Sequence, residues 1–323
     1  MISPTLLGVA GLRPDVSVVV PARNHGRYLG PALNSVFIQT GCSFEIIVVD
    51  DGSTDGTQEV LRRYGSQVRS VRTASQGAAA ARNTGCAIAR GDLIAFLDAD
   101  DSWLPGKLSA QIRALRESPD AGLVYCDTLR VRPDGGGIDR WSTHFPPVSG
   151  HALVPQIRRN RIQTSTVMIR RSVLGRVGGF DPALAAWEDI DLWVRIAAHY
   201  RLAYVDKVLA TYRMGQGLSS ASRAMATGRL ASVRKVLGDS AVRLPRAQAR
   251  KALADAFLAM ATAEYLETDL GQTRKWLMRA WARDVTTVAR LESARMLTVS
   301  LLGRRLVDQL RRTLRAPSTV EAS

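Results

Sequence analysis

Three carboxylates within four residues, Asp98, Asp100 and Asp101, follow a five-residue apolar run at positions 93–97. A run that short suits a strand buried on both faces. Strand alternation sends Asp98 and Asp100 to one side and lets Asp101 leave as the chain turns. Carboxylates this close repel unless a cation or hydrogen-bond donors share them. Mg²⁺ is held in this way by one or two carboxylates plus substrate phosphates, and Mn²⁺ accepts the same oxygens. The competing reading is an acidic turn capping a helix that starts near Pro105. An EF-hand is excluded, because Trp103 occupies its glycine position and Ser109 its glutamate position. Asp50 and Asp51 end a second apolar run. Glu188, Asp189 and Asp191 open an apolar-striped helix, where acids also act as caps.

The elements that must position these acids alternate. Apolar runs at 16–20, 44–49, 68–71 and 93–97 are separated by helical spacing over 27–39, 57–64 and 77–90. This order predicts parallel strands with right-handed crossovers, whose ligands bind at the strands' carboxyl ends. Pro21–Asn24, Asp50–Asp51 and the acid cluster at 98–101 all fall at such ends. Further on, the pattern predicts a helix at 107–117, a strand at 122–126, a hairpin tip at 130–137 and a strand at 164–170. No Gly-x-Gly-x-x-Gly follows a strand and no Walker lysine loop exists, which disfavours nicotinamide and P-loop chemistry.

The chain has 323 residues with 46% hydrophobic content, enough for an α/β domain and a smaller one. Three scattered cysteines, Cys42, Cys86 and Cys126, show neither metal spacing nor a disulfide framework, and predict a reducing compartment. Neither a signal peptide nor a transmembrane run is expected, so the location predicted is cytoplasmic, with peripheral attachment to the inner membrane face. Residues 1–217 are expected to form the catalytic domain and 218–323 a basic helical extension. From residue 220 onward, 19 Lys and Arg face 9 Asp and Glu, giving +10 of the net +15. That asymmetry predicts either a solvated basic surface or an anionic partner. Within the extension, Leu253, Phe257, Met260, Ala261 and Tyr265 are expected to meet Leu277, Ala280 and Trp281 in a helical hairpin like a tetratricopeptide unit. Residues 296–315 read as a basic amphipathic helix, for a partner surface or an anionic membrane.

In order, Val16-Ser-Val-Val-Val-Pro-Ala-Arg-Asn24, Glu45-Ile-Ile-Val-Val-Asp-Asp-Gly-Ser-Thr-Asp55, Ala81-Arg-Asn-Thr-Gly85, Phe96-Leu-Asp-Ala-Asp-Asp101, Gly178-Gly-Phe-Asp181 and Glu188-Asp-Ile-Asp-Leu-Trp193 resemble the motif series of family 2 glycosyltransferases. The resemblance runs over 16–212 and implies a GT-A fold, a mixed, mostly parallel sheet flanked by helices. It also implies a nucleotide-diphosphate sugar donor, Mg²⁺ or Mn²⁺, and inversion at the anomeric carbon. By matching position it implies that Pro21, Arg23 and Asp51 line the nucleobase and ribose pocket, with Arg82 beside it. Asp98 then reaches the ribose side, Asp100 of the Asp-x-Asp motif holds the metal, and Asp189 is the base. Asp101, Glu188 and Asp191 are left as supporting or acceptor-side groups.

Two departures from that pattern stand out. Arg23 replaces a tyrosine that commonly stacks on the base, although a guanidinium plane stacks too. Tyr212-Arg213-Met214-Gly215-Gln216-Gly217 lacks the histidine often found there beside the metal. The expected activity is sugar transfer, with UDP-sugar as donor and a glycan or lipid-linked hydroxyl as acceptor, in polysaccharide or glycolipid assembly. A nucleotidyltransferase on a related sheet and a non-catalytic nucleotide-sugar-binding adaptor are the alternatives. A processive membrane synthase is disfavoured, since Gln272-Thr-Arg-Lys-Trp276 has the wrong order for that class's Gln-x-x-Arg-Trp. Nucleic acid is not expected, because the basic tail shows no aromatic stacking platform.

Overall fold

The computed structural model describes residues 13–134, 136–214, 223–288 and 291–303. The chain separates into two compact units, Met1–Gly217 and Leu218–Ser323. The first contains β1 (Val16–Ala22), α1 (Gly26–Phe37), β2 (Phe44–Asp50), α2 (Thr57–Tyr64), β3 (Arg69–Arg72), α3 (Ala78–Ile88) and β4 (Leu93–Phe96). There follow β5 (Ser102–Trp103), α4 (Lys107–Glu117), β6 (Ala121–Val131), β7 (Gly137–Arg140), α5 (Trp141–His144), α6 (Leu153–Arg158), β8 (Met168–Arg170), α7 (Arg171–Val177), α8 (Glu188–His199) and β9 (Arg201–Arg213).

One mixed sheet runs β3-β2-β1-β4-β8-β6-β9-β5, with β7 beside β6. Strands β1 to β4 pair in parallel, while β8 is antiparallel to both β4 and β6. The chain leaves β1 toward β2 and β3, then returns to β4 on the other side of β1. That reversal opens the crevice where ligands bind in such sheets. Both faces of β1, β2 and β4 are buried. Val18, Val20, Ile46, Val48, Ala95 and Leu97 pack with α1 and α4, whereas Val19, Ile47, Val49, Ile94 and Phe96 pack with α3 and α8. Burial on two faces is why these strands read as unbroken apolar runs.

Three local expectations need correction. The strand expected over 164–170 is reduced to Met168–Arg170, and Thr164–Thr166 form a single 3-10 turn. Thr166 satisfies itself locally, its N–H and hydroxyl both donating to the Gln163 carbonyl at 3.0 and 2.6 Å. Strand β4 ends at Phe96, so alternation does not place the acids. Asp101, expected to leave at the turn, is instead buried. Finally, the N-cap of α8 is Trp187 with no side-chain cap bond, so Asp189 does not cap that helix.

The second unit is helical: α9 (Arg223–Gly238), α10 (Arg246–Leu266), α11 (Leu270–Arg283), α12 (Val285–Val288) and α13 (Leu291–Leu302). Asp269 caps α11, its carboxylate accepting from the Gln272 N–H at 2.9 Å. The hairpin of α10 and α11 stacks Phe257 on Trp276, and Ala261, Leu277 and Met296 form its centre. Thus α13 supplies a third layer that a lone hairpin lacks. Trp281, expected in the hairpin interface, is exposed. In the amphipathic segment Met296 and Val299 face inward, while Leu301 and Leu302 face solvent. Positions 304–315 of that segment lie outside the described residues. No helix among the described residues is long and apolar enough to cross a membrane.

Lys107 opens α4 fully buried, its ammonium 4.0 Å from the Trp103 ring centroid and donating to Gln111 Oε1 at 2.7 Å. Burial pushes it down to about 8, with Cys126 opposing. A lysine whose folded pKa lies below its unfolded value of about 10.4 binds fewer protons when folded between those values, so stability rises with pH across that window. The unfolding free energy should therefore climb by up to about 1.4 kcal/mol per pH unit between roughly pH 8 and 10. Lys107→Met should flatten that climb in urea unfolding series. An equally steep climb in the variant would assign it to other groups.

Candidate active site

The ends of β1 and β2 are laced into one wall. Asn24 takes a positive φ of 57°, which asparagine tolerates. Its N–H donates to Ser53 Oγ at 2.9 Å and its Oδ1 accepts from the Thr54 N–H at 2.8 Å. Beside this wall Asp51 is buried. Its carboxylate accepts from the Gln76 N–H at 2.8 Å, the Gly77 N–H at 2.7 Å and Thr73 Oγ1 at 2.9 Å. Burial works against its charge, but these bonds and the nearby Arg23 hold the carboxyl below its usual value. Asp51 is thus an anion anchored to the start of α3, with Pro21 half-buried and Arg23 exposed alongside.

The Arg-Asn-Thr-Gly motif of α3 does three separate jobs. Arg82 is buried, and its guanidinium donates to Asp98 Oδ1 and to Glu188 Oε1, each at 2.8 Å. Asn83 exchanges two bonds with the Phe180 backbone, 2.8 and 2.9 Å, fastening the Gly178–Asp181 loop. A side chain at Gly179 would meet Asn83 Oδ1 at 2.5 Å, and one at Gly85 would meet Val19 Cγ1 at 2.5 Å. Both glycines are therefore there for close approach.

The acid turn after β4 separates the roles of its three carboxylates. Asp101 Oδ2 accepts from Ser165 Oγ at 2.5 Å and Oδ1 from the Arg213 N–H at 2.9 Å. It ties the turn to β9 rather than facing a ligand. Asp98 has one oxygen on Arg82, and its N–H donates to Ser165 Oγ at 3.1 Å. Asp100 has no side-chain hydrogen-bond donor among the described residues. Burial and the neighbouring Asp98 raise its pKa, against His25 and Arg213. A carboxylate that no side chain hydrogen-bonds, next to a second acid, is a fitting ligand for a cation. Among the described residues no three His, Cys, Asp or Glu side chains converge to hold an ion unaided. One or two carboxylates completed by diphosphate oxygens is the usual arrangement for Mg²⁺.

Asp189 sits on the first turn of α8, directly after the Arg82 partner Glu188. Its Oδ2 accepts from Thr164 Oγ1 at 2.6 Å and its Oδ1 from the Ile190 N–H at 2.7 Å. Burial, then the Glu188 charge, pushes it up to about 6, opposed by Arg82 and Thr164. Trp187, just before, has φ 75°, a left-handed conformation that costs a bulky residue about 1–3 kcal/mol. Asp191 points elsewhere. It is buried and pairs with Arg195 at 2.8 Å, and Arg195 donates to the Gly179 carbonyl at 2.7 Å. Its part is to support the Gly178–Asp181 loop.

Sequence reading missed four contributors. Thr164 and Ser165 look like strand residues, yet they reach Asp189, Asp98 and Asp101. Arg213 braces the turn, its Nε donating to the Asp100 carbonyl at 3.2 Å. His25, in the loop after β1, is close enough to Asp100 to favour its charged form. Only Arg213, next to the Tyr212 position where the absent histidine was sought, had a local signal.

The profile of glycosyl transferase family 2 matches residues 17–178. An uncharacterized glycosyltransferase of Nostoc sp. is 33% identical over 226 residues, 66% of this chain and 68% of the relative. TuaG of Bacillus subtilis, a putative teichuronic acid biosynthesis glycosyltransferase, is 30% identical over 207 residues, 62% of this chain and 80% of TuaG. Against two longer Rickettsia relatives the match spans 34% of their length. In structure, S. aureus TarS 1-349 in complex with UDP-GlcNAc aligns with TM-score 0.67 at 19% identity, over 93% of this chain and 92% of TarS. The mannosyltransferase PcManGT of Pyrobaculum calidifontis, in complex with GDP-Man and Mn²⁺, aligns with TM-score 0.56 at 20% identity, over 96% and 90% of the two chains. The structural likenesses carry the fold alone. Asp189 lies beyond the profile's span, whereas Asp51, Arg82, Asp98, Asp100 and Thr164 lie within it. With the profile matched over half its length and a GT-A sheet presenting those acids at its strand ends, the chain belongs to glycosyl transferase family 2.

Proposed function

We propose that the first unit is an inverting, metal-dependent glycosyltransferase that moves a sugar from a UDP-sugar to a hydroxyl of a glycan or lipid-linked acceptor. The observation that carries this reading is the division of labour among the acids: Asp51 anchored as an anion, Asp100 with no side-chain donor, and Asp189 raised to about 6 beside the Arg82 cluster that joins Asp98 to Glu188. The description of TuaG as a putative teichuronic acid biosynthesis glycosyltransferase supports polysaccharide assembly as the setting. The nucleotide-sugars in TarS and PcManGT support the donor class.

In this mechanism Pro21, Arg23 and Asp51 receive the nucleoside, and Asp98 reaches its ribose. Asp100 would hold Mg²⁺ or Mn²⁺, which supplies neutralisation of the diphosphate's charge when bound. Asp189 accepts the acceptor's hydroxyl proton as the new C–O bond forms. The bond to the diphosphate breaks, its electron pair leaving with the diphosphate. Attack opposite the leaving group, with no covalent intermediate, inverts the anomeric carbon. Arg82 holds Asp98 and Glu188 in place while this happens.

Four outcomes test the assignment. Asp100→Ala should remove the Mn²⁺ dependence of UDP affinity in calorimetric titration while leaving the fold intact; unchanged dependence would move the ligand elsewhere. Asp189→Asn should cut kcat by about 10²- to 10⁴-fold with UDP affinity nearly unchanged, and release of UDP rather than pyrophosphate separates sugar transfer from nucleotide transfer. The base works deprotonated, so kcat/KM should fall about tenfold per pH unit below roughly pH 6 and level off above it. Thr164→Val removes a bond that favours the charged form, one worth about 1.5–3 kcal/mol. The acid limb should then move up by roughly one to two pH units, and Thr164→Ser should restore it. An unmoved limb would detach Asp189 from the titration.

A further inference from the structure

Among the described residues, eight large apolar side chains are exposed, and six of them belong to the second unit. Five of these six lie on α11, at the start of α12 or at the end of α13. On α11, Thr273, Leu277 and Ala280 point inward. Met278 and Trp281 point outward, 53% and 47% exposed, and Val285 at the start of α12 is 59% exposed. At about 100° per residue, Trp281, Arg274, Met278 and Ala282 follow one another around a single sector of the helix. The next positions around the helix are Lys275 and Arg279, followed by Arg283. The whole of α11 carries four cations and no carboxylate. Arg274 shares that face one to two turns earlier, and its guanidinium is turned aside to donate to the Ser300 carbonyl. That bond brings in the end of α13, where Leu301 and Leu302 are 64% and 47% exposed.

We propose that α11 and the end of α13 form a docking surface for an anionic lipid bilayer. An apolar sector edged by cations is the arrangement of a helix lying in the membrane interface. Tryptophan has its preferred depth at the headgroups, where its ring is apolar on its faces and polar at its N–H. Lys275, Arg279 and Arg283 face the lipid phosphates, and Trp281, Met278 and Leu301 enter the acyl boundary. Charge complementarity selects this occupant. A second copy would bring the same cations face to face, and a nucleic acid would leave Met278, Val285 and Leu301 unused. This surface lies wholly within the described residues and does not depend on the reaction assigned to the first unit.

Flotation of the full chain with phosphatidylcholine vesicles, with and without about 30% phosphatidylglycerol, tests the proposal. The native chain should bind the anionic vesicles about tenfold or more tightly than the neutral ones, and high salt should erase the difference. The double variant Met278→Ser, Trp281→Ser should lose about tenfold in vesicle affinity, with Tm and circular dichroism unchanged. The pair Lys275→Glu, Arg279→Glu should lose the preference for anionic lipid. The proposal is overturned if the native chain ignores anionic vesicles, or if both variants bind as the native chain does. It is equally overturned if Trp281→Ser instead dissolves a dimer, or if a short oligonucleotide occupies the patch and lipid does not.

Discussion

One buried guanidinium holds three separately folded pieces of the first unit in register. Arg82 on α3 reaches the turn after β4 through Asp98 and the start of α8 through Glu188, both at 2.8 Å. Its surroundings, Asp98, Glu188 and Asp189, drive its already high pKa higher against the cost of burial. Removing one partner of such a cluster strands the remaining charge, a loss of about 3–5 kcal/mol, whereas the intact cluster contributes little net stability. Its value is positional. The acids of two elements far apart in sequence are set at a fixed separation, and the aromatic face of Phe180 closes over the cation at 5.4 Å. Arg82 Nε remains without a partner among the described residues, so the geometry serves the two terminal nitrogens.

A second seam, Thr164–Thr166, runs between the same acids from the opposite side. Its hydroxyls meet Asp189 and Asp101, while its carbonyls accept from Trp103 Nε1 at 2.7 Å and Gln111 Nε2 at 2.7 Å. The indole, the amide and the buried Lys107 thus anchor the turn from below. A carboxylate's protonation in such a place depends on which donors reach it. Asp101 receives two and is structural, Asp100 receives none from side chains, and Asp189 receives one hydroxyl and one backbone N–H. Asp100 and Asp101, adjacent acids of one sequence motif, therefore differ in role because of their partners, not their type.

The second unit follows other physics. Its helices bury small side chains, with Ala252, Ala254, Ala256, Ala261 and Ala263 all inward on α10, so they pack closely with modest apolar area. Larger apolar groups are left over at the surface, alongside most of the chain's excess positive charge.

The parallel half of the sheet, its helices and the placement of polar residues at its strand ends were legible in the sequence. Runs such as 16–20 and 44–49 have only one stable environment, a strand covered on both faces. The ordered motifs likewise carried the family, because each glycine and asparagine in them answers a steric or hydrogen-bonding demand. Tertiary structure alone decided the rest. Alternation put Asp101 outward, but Ser165 and the Arg213 N–H, respectively 64 and 112 residues away, draw it inward. Periodicity put Thr164 in a strand, but local hydroxyl bonds bend it toward Asp189. Helical spacing put Trp281 in a hairpin interface, but Met296 of α13 completes that core without it. Local sequence determines which backbone form a segment prefers. Which of its side chains finds a buried partner depends on elements that meet only once the chain has folded.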